Sequence, residues 1–294
     1  MLRLVQLLCL FLSVCFFSGS SCNNNTVEPT ASDYKGTIYY SRSEKIFKID
    51  LEKNTNTNLF ENGREPELTK SGDLLIFEYS PTPGRLVYSD LTGANRTALL
   101  VATQNTNPDF KYRWSAAKPR ISFDQKYVAY NDDRNTGTYI IDAITGKLIA
   151  TIGDYSANEP YVSPSWFADG SLVVAGSVSM NNGIYKVSSD FKTVTRLDPN
   201  LSNVTSPSVS PDGTKIAFIR DFKLWMMNSD GTNPTQLYIS TDSFFTPTWS
   251  PDSKYIAAVN YSGNILIFDP ATLTAKKLSV SHTAAIAEQL SWTY

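Results

Sequence analysis

Apolar residues in this chain fall into short runs, each launched by a polar turn. Ile216–Ile219, Tyr255–Val259, Leu172–Ala175, Tyr127–Tyr130 and Leu74–Phe77 are such runs. They are too short for helices and apolar on both faces, the pattern of strands packed between two neighbouring layers. Before each run stands a turn, clearest at Ser210-Pro-Asp-Gly213, with Pro second and Gly fourth as a type I turn prefers. Asp212, Asp252, Asp169 and Asp124, with Ser71 in the weakest copy, hold the place whose side chain closes the turn on nearby N–H groups. A third strand then ends at Asp90, Asp142, Ser188, Asn228 or Asp269, beside hairpin signals such as Thr92-Gly93, Thr145-Gly146 and Asp230-Gly231.

Turn and strand together form a phrase that recurs. It begins at Pro66, Pro119, Pro164, Pro207 and Pro247, in steps of 53, 45, 43 and 40 residues, and a broken sixth copy starts near Leu290. A period near 40–45 with strand content predicts one four-stranded sheet per repeat, hence an all-β, six-bladed β-propeller. Thr37–Leu59 aligns without a gap to Lys215–Leu237 but lacks a first strand, whereas Gln289–Tyr294 is a first strand alone. The two chain ends are therefore expected to share one blade and close the ring, leaving no free sheet edge. Trp166, Trp249 and Trp292 occupy one position of the phrase and are expected to pack between blades.

Three domains follow: an export signal over 1–21, a polar tether over 22–35 and the propeller over 36–294. The signal consists of Arg3, an apolar run from Leu4 to Phe17 and the small residues Ser18–Ser21. All three cysteines (Cys9, Cys15, Cys22) lie in the first 22 residues, so a chain beginning at Cys22 has no internal disulfide. Cys22, after small residues and before Asn23-Asn24-Asn25, resembles the lipobox of bacterial lipoproteins, although Gly19 stands where that motif usually has Leu. The resemblance implies lipidation of Cys22 and anchorage to a membrane of the cell envelope.

The phrase P-x-[WV]-S-P-D-G followed by an apolar strand resembles the TolB-type propeller repeat, a relative of the WD repeat, over residues 36–294. That resemblance implies an exported, rigid disc whose loops and central channel mouth bind another molecule, most often a protein. The α/β domain that TolB carries before its propeller is expected to be absent here, which argues against a direct role in the Tol machinery.

Charge and chemistry narrow the function. Lys and Arg total 26 against 28 Asp and Glu, with no basic stripe, so nucleic acid is not an expected partner. The repeated carboxylates are assigned to turns. The single histidine, His282, has no accompanying nucleophile motif and is read as incidental, and Asn131–Gly137 reads as a polar hairpin rather than a calcium loop. No catalytic residue, cofactor or metal is expected. Candidate contacts come instead from segments that break the repeat, on the face carrying the blade-to-blade and second-to-third-strand loops. The partner-binding candidates are Phe110, Tyr112, Arg113, Trp114, Tyr155, Glu159, Tyr161, Arg220, Phe244 and Phe245, because exposed aromatics with Arg dominate binding hot spots. The expected protein is a monomeric, non-enzymatic scaffold for a protein or peptide. The alternative is a carbohydrate-binding or carbohydrate-processing protein using the same mouth, with Asp154, Glu159 or Asp221 as carboxylates.

Overall fold

The computed structural model describes residues 34–78, 85–101, 116–132, 137–154, 159–178, 181–238, 240–278 and 289–294. Every regular element among them is a strand. The first three are β1 (Thr37–Arg42), β2 (Lys45–Asp50) and β3 (Thr55–Glu61). The next blade holds β4 (Arg64–Leu68), β5 (Leu74–Glu78), β6 (Arg85–Ser89) and β7 (Arg96–Val101). It is followed by β8 (Ala116–Ile121), β9 (Tyr127–Asp132), β10 (Thr138–Asp142) and β11 (Leu148–Asp154). Then come β12 (Glu159–Trp166), β13 (Leu172–Val178), β14 (Asn181–Val187) and β15 (Val194–Arg196). The fifth set is β16 (Val204–Val209), β17 (Lys215–Arg220), β18 (Lys223–Asn228) and β19 (Thr235–Gln236). The last are β20 (Phe244–Trp249), β21 (Ile256–Asn260), β22 (Ile265–Asp269) and β23 (Thr274–Lys277), then β24 (Leu290–Thr293).

These strands make six antiparallel four-stranded blades, and β24 pairs with β1 to give the order β24-β1-β2-β3. Its register is Thr37↔Thr293, Ile38↔Trp292, Tyr39↔Ser291 and Tyr40↔Leu290. The chain ends thus share one blade as the repeat predicts. Innermost strands β4, β8, β12, β16, β20 and β24 neighbour one another in a closed ring. Because strands alternate in direction, one face carries the β4–β5-type inner hairpins and the other carries the crossovers between blades. We call these the hairpin face and the crossover face.

The core lies between blades rather than within any one of them. Six buried clusters occupy the six junctions; the seam, for instance, packs Ile38, Tyr40, Leu290 and Trp292 against Ala257, Val259 and Ile267. Each sheet is covered on both faces, which explains why its central strands read as unbroken apolar runs.

The hairpin turns behave as their sequence predicts. Ser210 Oγ donates to Asp212 Oδ1 at 2.6 Å, and Asp212 Oδ1 accepts from Thr214 N at 3.0 Å. Ser250–Asp252 and Ser122–Asp124 repeat the contact at 2.6 and 2.8 Å. At the third-strand ends, Asp90 accepts from Thr92 N and Ala94 N, and Asp142 from Ile144 N and Thr145 N.

One feature of the inner strands is not visible in the turn pattern. The residue before each repeat proline is left-handed: Glu65 (φ 52°), Lys118 (52°), Ser163 (57°), Ser206 (51°) and Thr246 (43°). Each sits in a β-bulge where the inner strand slips register against its neighbour. Proline has no N–H to give to the ladder, and a bulge is where a ladder donor can be missing.

Candidate functional site

At the hairpin face the six inner strands converge on an axial funnel of about 480 Å³. Its wall repeats one position of the phrase, the residue after the proline: Glu67, Arg120, Ser165, Ser208, Thr248 and Ser291. Pro211 and Pro251 line it above, and Phe123 and Tyr294 stand exposed at the rim. Lys70 Nζ fixes the Phe123 turn by donating to its carbonyl at 2.6 Å.

The wall is stitched from blade to blade. Glu67 Oε1 accepts from Ile121 N at 3.1 Å, and Ser165 Oγ accepts from Val209 N at 2.9 Å. Trp166 Nε1 donates to the Arg120 carbonyl and Trp249 Nε1 to the Ser208 carbonyl, both at 2.9 Å. Trp292 Nε1 donates instead to Lys35 O at 2.9 Å, tying the seam. The three tryptophans are therefore core residues that present only edges to the funnel, as their burial of 93% or more requires.

Arg120 Nη1 lies 3.2 Å from Glu67 Oε2, both side chains being largely buried. Burial pushes the Glu67 carboxyl above its ordinary range, while the Arg120 charge and the Ile121 N–H oppose that rise. Deeper along the axis the bulge residues form a narrower layer around a chamber of about 20 Å³. There Lys118 N donates to Glu65 Oε2 and Lys118 Nζ to Ser163 Oγ at 2.9 Å. Burial lowers the Lys118 ammonium's pKa, with Glu65 acting the other way. Gln289 Nε2 donates across the ring to Pro119 O at 3.3 Å. Gln289 Oε1 and Thr246 Oγ1 are buried there without a partner among the described residues.

Several sequence candidates fall elsewhere. Phe110, Tyr112, Arg113, Trp114 and Tyr155 lie outside the described residues, as do Cys22 and His282. Glu159 opens β12, its backbone opposite Asp154. Tyr161 and Phe244 need correction: both were expected in exposed loops, yet both lie in inner strands and are buried. The inner strands begin earlier than the phrase implies, β20 at Phe244 and β12 at Glu159, which draws these rings into the junctions between blades. Arg220 and the half-buried Phe245 do reach the crossover face. Arg220 lies over the Trp225 ring at 5.1 Å, and Phe245 meets the exposed Phe222 edge-on at 6.1 Å. Phe222 was missed because it sits in a two-residue turn with no repeat signal.

The funnel was also missed, and so was its face. Its signal was present as the second position of the phrase, which varies while its neighbours repeat but stays polar in all six copies. Among the described residues no three of His, Cys, Asp and Glu gather in a metal-binding group.

No protein-family model matches the sequence. Among solved structures, TolB from Acinetobacter baumannii superposes with a TM-score of 0.68 at 15% identity, covering 88% of this chain and 67% of that one. The fold is similar to that of TolB. A putative TolB from Agrobacterium tumefaciens gives 0.65 at 15% identity, over 88% of this chain and 98% of that one. An oligogalacturonate lyase in complex with manganese gives 0.56 at 17% identity, over 85% and 75%. A TolB-like ring thus underlies both a lyase and TolB itself, so function must be argued from the site.

Proposed function

We propose that this TolB-like propeller is a non-enzymatic binding scaffold of the cell envelope, exported and lipid-anchored through Cys22. Its funnel takes a segment of a partner protein. One observation carries this reading: a cavity of ligand-binding size, about 480 Å³, to which every blade contributes its inner strand. Such a cavity is preformed, because its wall residues are fixed by hydrogen bonds between blades, and binding there orders little that is not already ordered. Exposed Phe123 and Tyr294 at the rim, with Pro211 and Pro251, offer apolar contact above a polar floor. The Glu67–Arg120 pair is assigned to wall structure and specificity, not to turnover.

Crosslinking pull-down from envelope extract, comparing wild type with a Phe123→Ala, Tyr294→Ala double variant, tests this. Loss of partners from the variant is expected. Identical partner profiles overturn the funnel as the contact site, and saturable binding on a glycan array would transfer the funnel to a carbohydrate. The intact mass of the mature N-terminus checks lipidation of Cys22.

A further inference from the structure

We infer that the funnel floor is a seat for a carboxylate, and that its occupant is the free C-terminus of a peptide entering end-on along the propeller axis. This rests on the scaffold reading and names the chemistry that the funnel selects.

The floor is asymmetric. On one side Arg120 directs a single N–H to Glu67 at 3.2 Å, and a guanidinium carries five donors in a planar fork suited to a carboxylate. Opposite stand the hydroxyls of Ser208, Thr248 and Ser291, each less than a tenth exposed. None of the three hydroxyls has a hydrogen-bond partner among the described residues, and all three residues line the cavity. Ser165 Oγ accepts from Val209 N, which leaves its own proton free to donate. An arc of hydroxyl donors facing a guanidinium across a closed axis can surround a two-oxygen anion on every side. The hydroxyls can accept from a cation as well as donate to an anion, but the Arg120 guanidinium repels a cation, and both oxygens of Glu67 already accept, from Ile121 N and Arg120.

Below the seat the axis stays polar. Lys118 Nζ uses one of its three protons on Ser163 Oγ and borders the small chamber. Gln289, 1% exposed, and Thr246 border that chamber too, and Gln289 Oε1 and Thr246 Oγ1 have no partner among the described residues. A chamber of about 20 Å³ is no larger than a single water. The chamber is too narrow for the ligand itself, so the chain must stop at the floor. A seat at a dead end recognises a terminus rather than an internal segment.

The wall tryptophans offer no face for a sugar to stack on, since Trp166, Trp249 and Trp292 are packed between blades and at most 7% exposed. The exposed rings are Phe123 and Tyr294 at the rim, above the seat, so competition with an acidic sugar is part of the test.

The test uses the full chain, immobilised, and two pools of mixed-sequence hexapeptides, one with free C-terminal carboxylates and one amidated. Retention is quantified by mass spectrometry, with an oligo-uronate and inorganic phosphate as competitors. The free-acid pool is expected to be retained at least about tenfold better than the amide pool. A Glu67→Gln, Arg120→Gln double variant, which removes the pair together and leaves no lone buried charge, is expected to bring the ratio close to one. Ser208→Ala with Thr248→Val should reduce it several-fold while leaving thermal unfolding unchanged. Equal retention of acid and amide, abolished by Phe123→Ala with Tyr294→Ala, would sink the carboxylate seat and keep the scaffold reading. Retention of neither pool would sink both. Displacement by oligo-uronate at lower concentration than by peptide acid would assign the seat to a sugar. The acid-against-amide comparison on wild type decides the matter even if a variant fails to fold.

Discussion

Trp292→Ala measures whether the shared blade is as firmly built as the others. Trp292 pairs with Ile38, packs in the seam cluster with Leu290, Tyr40 and Ala257, and donates to Lys35 O at 2.9 Å. Truncating a buried Trp to Ala costs about 4 kcal/mol through lost burial and the cavity left behind. At about 2–4 °C per kcal/mol for a domain of this size, Tm should fall by about 8–16 °C. Trp249→Ala is the internal reference, since Trp249 holds the same position inside a blade made from continuous chain. Its Nε1 donates to the Ser208 carbonyl in a buried contact, whereas Lys35 is exposed and water can replace the lost donor. Trp249→Ala should therefore cost about 1 kcal/mol more than Trp292→Ala. Thermal unfolding followed by circular dichroism reads both. A Tm loss below about 3 °C for Trp292→Ala, beside a full loss for Trp249→Ala, would refute a ring sealed by its termini.

Two further outcomes follow from other parts of the ring. Asn131 is fully buried, donates to Gly137 O and Thr138 Oγ1, and accepts from Ser163 N at 2.8 Å. Asn131→Ala leaves buried groups in two blades unpaired and should cost about 3 kcal/mol, read as a lower urea midpoint with unchanged slope; no shift would refute its role as a bridge. Acid should unfold the protein through its turns. The Thr92 hydroxyl and further donors hold Asp90 at about 2; burial of Asp124 works against ionisation, but hydrogen bonds from Lys126 and Ser122 overcome it and hold that carboxyl at about 2. Depressed folded-state pKa values stabilise above the unfolded value near 4 and lose that contribution as pH falls toward about 2. Glu67 has the opposite sign, because burial raises its pKa and its ionisation costs stability as pH rises. The urea midpoint should thus fall between about pH 4 and 2, and less steeply in Asp90→Asn with Asp124→Asn; an unchanged slope would refute the assignment.

Much of this was written locally. Ser210, Asp212 and Thr214 close their turn within five residues, so the turn is legible wherever the phrase appears. The seam was legible for a related reason: Leu290-Ser-Trp292 is a copy of a phrase whose partner strands are missing at one chain end and present at the other. Tyr161 and Phe244 were misplaced because the inner strand resumes pairing with the second strand of its own blade on the far side of the bulge, Tyr161 opposite Gly176 and Phe244 opposite Asn260, and the phrase begins only after that bulge.

The sequence by itself determined the repeat, its turns and the count of blades, because each depends on hydrogen bonds and burial within some forty residues of chain, and it foretold the closure by the two termini because Leu290–Thr293 copies the strand that the first blade lacks. The tertiary structure alone decided what meets at the axis. Glu67 faces Arg120 across 53 residues and Gln289 reaches Pro119 across 170. Those contacts exist only once the ring has closed. Closure makes a varying position of the repeat into a single wall, and it placed that wall on the hairpin face.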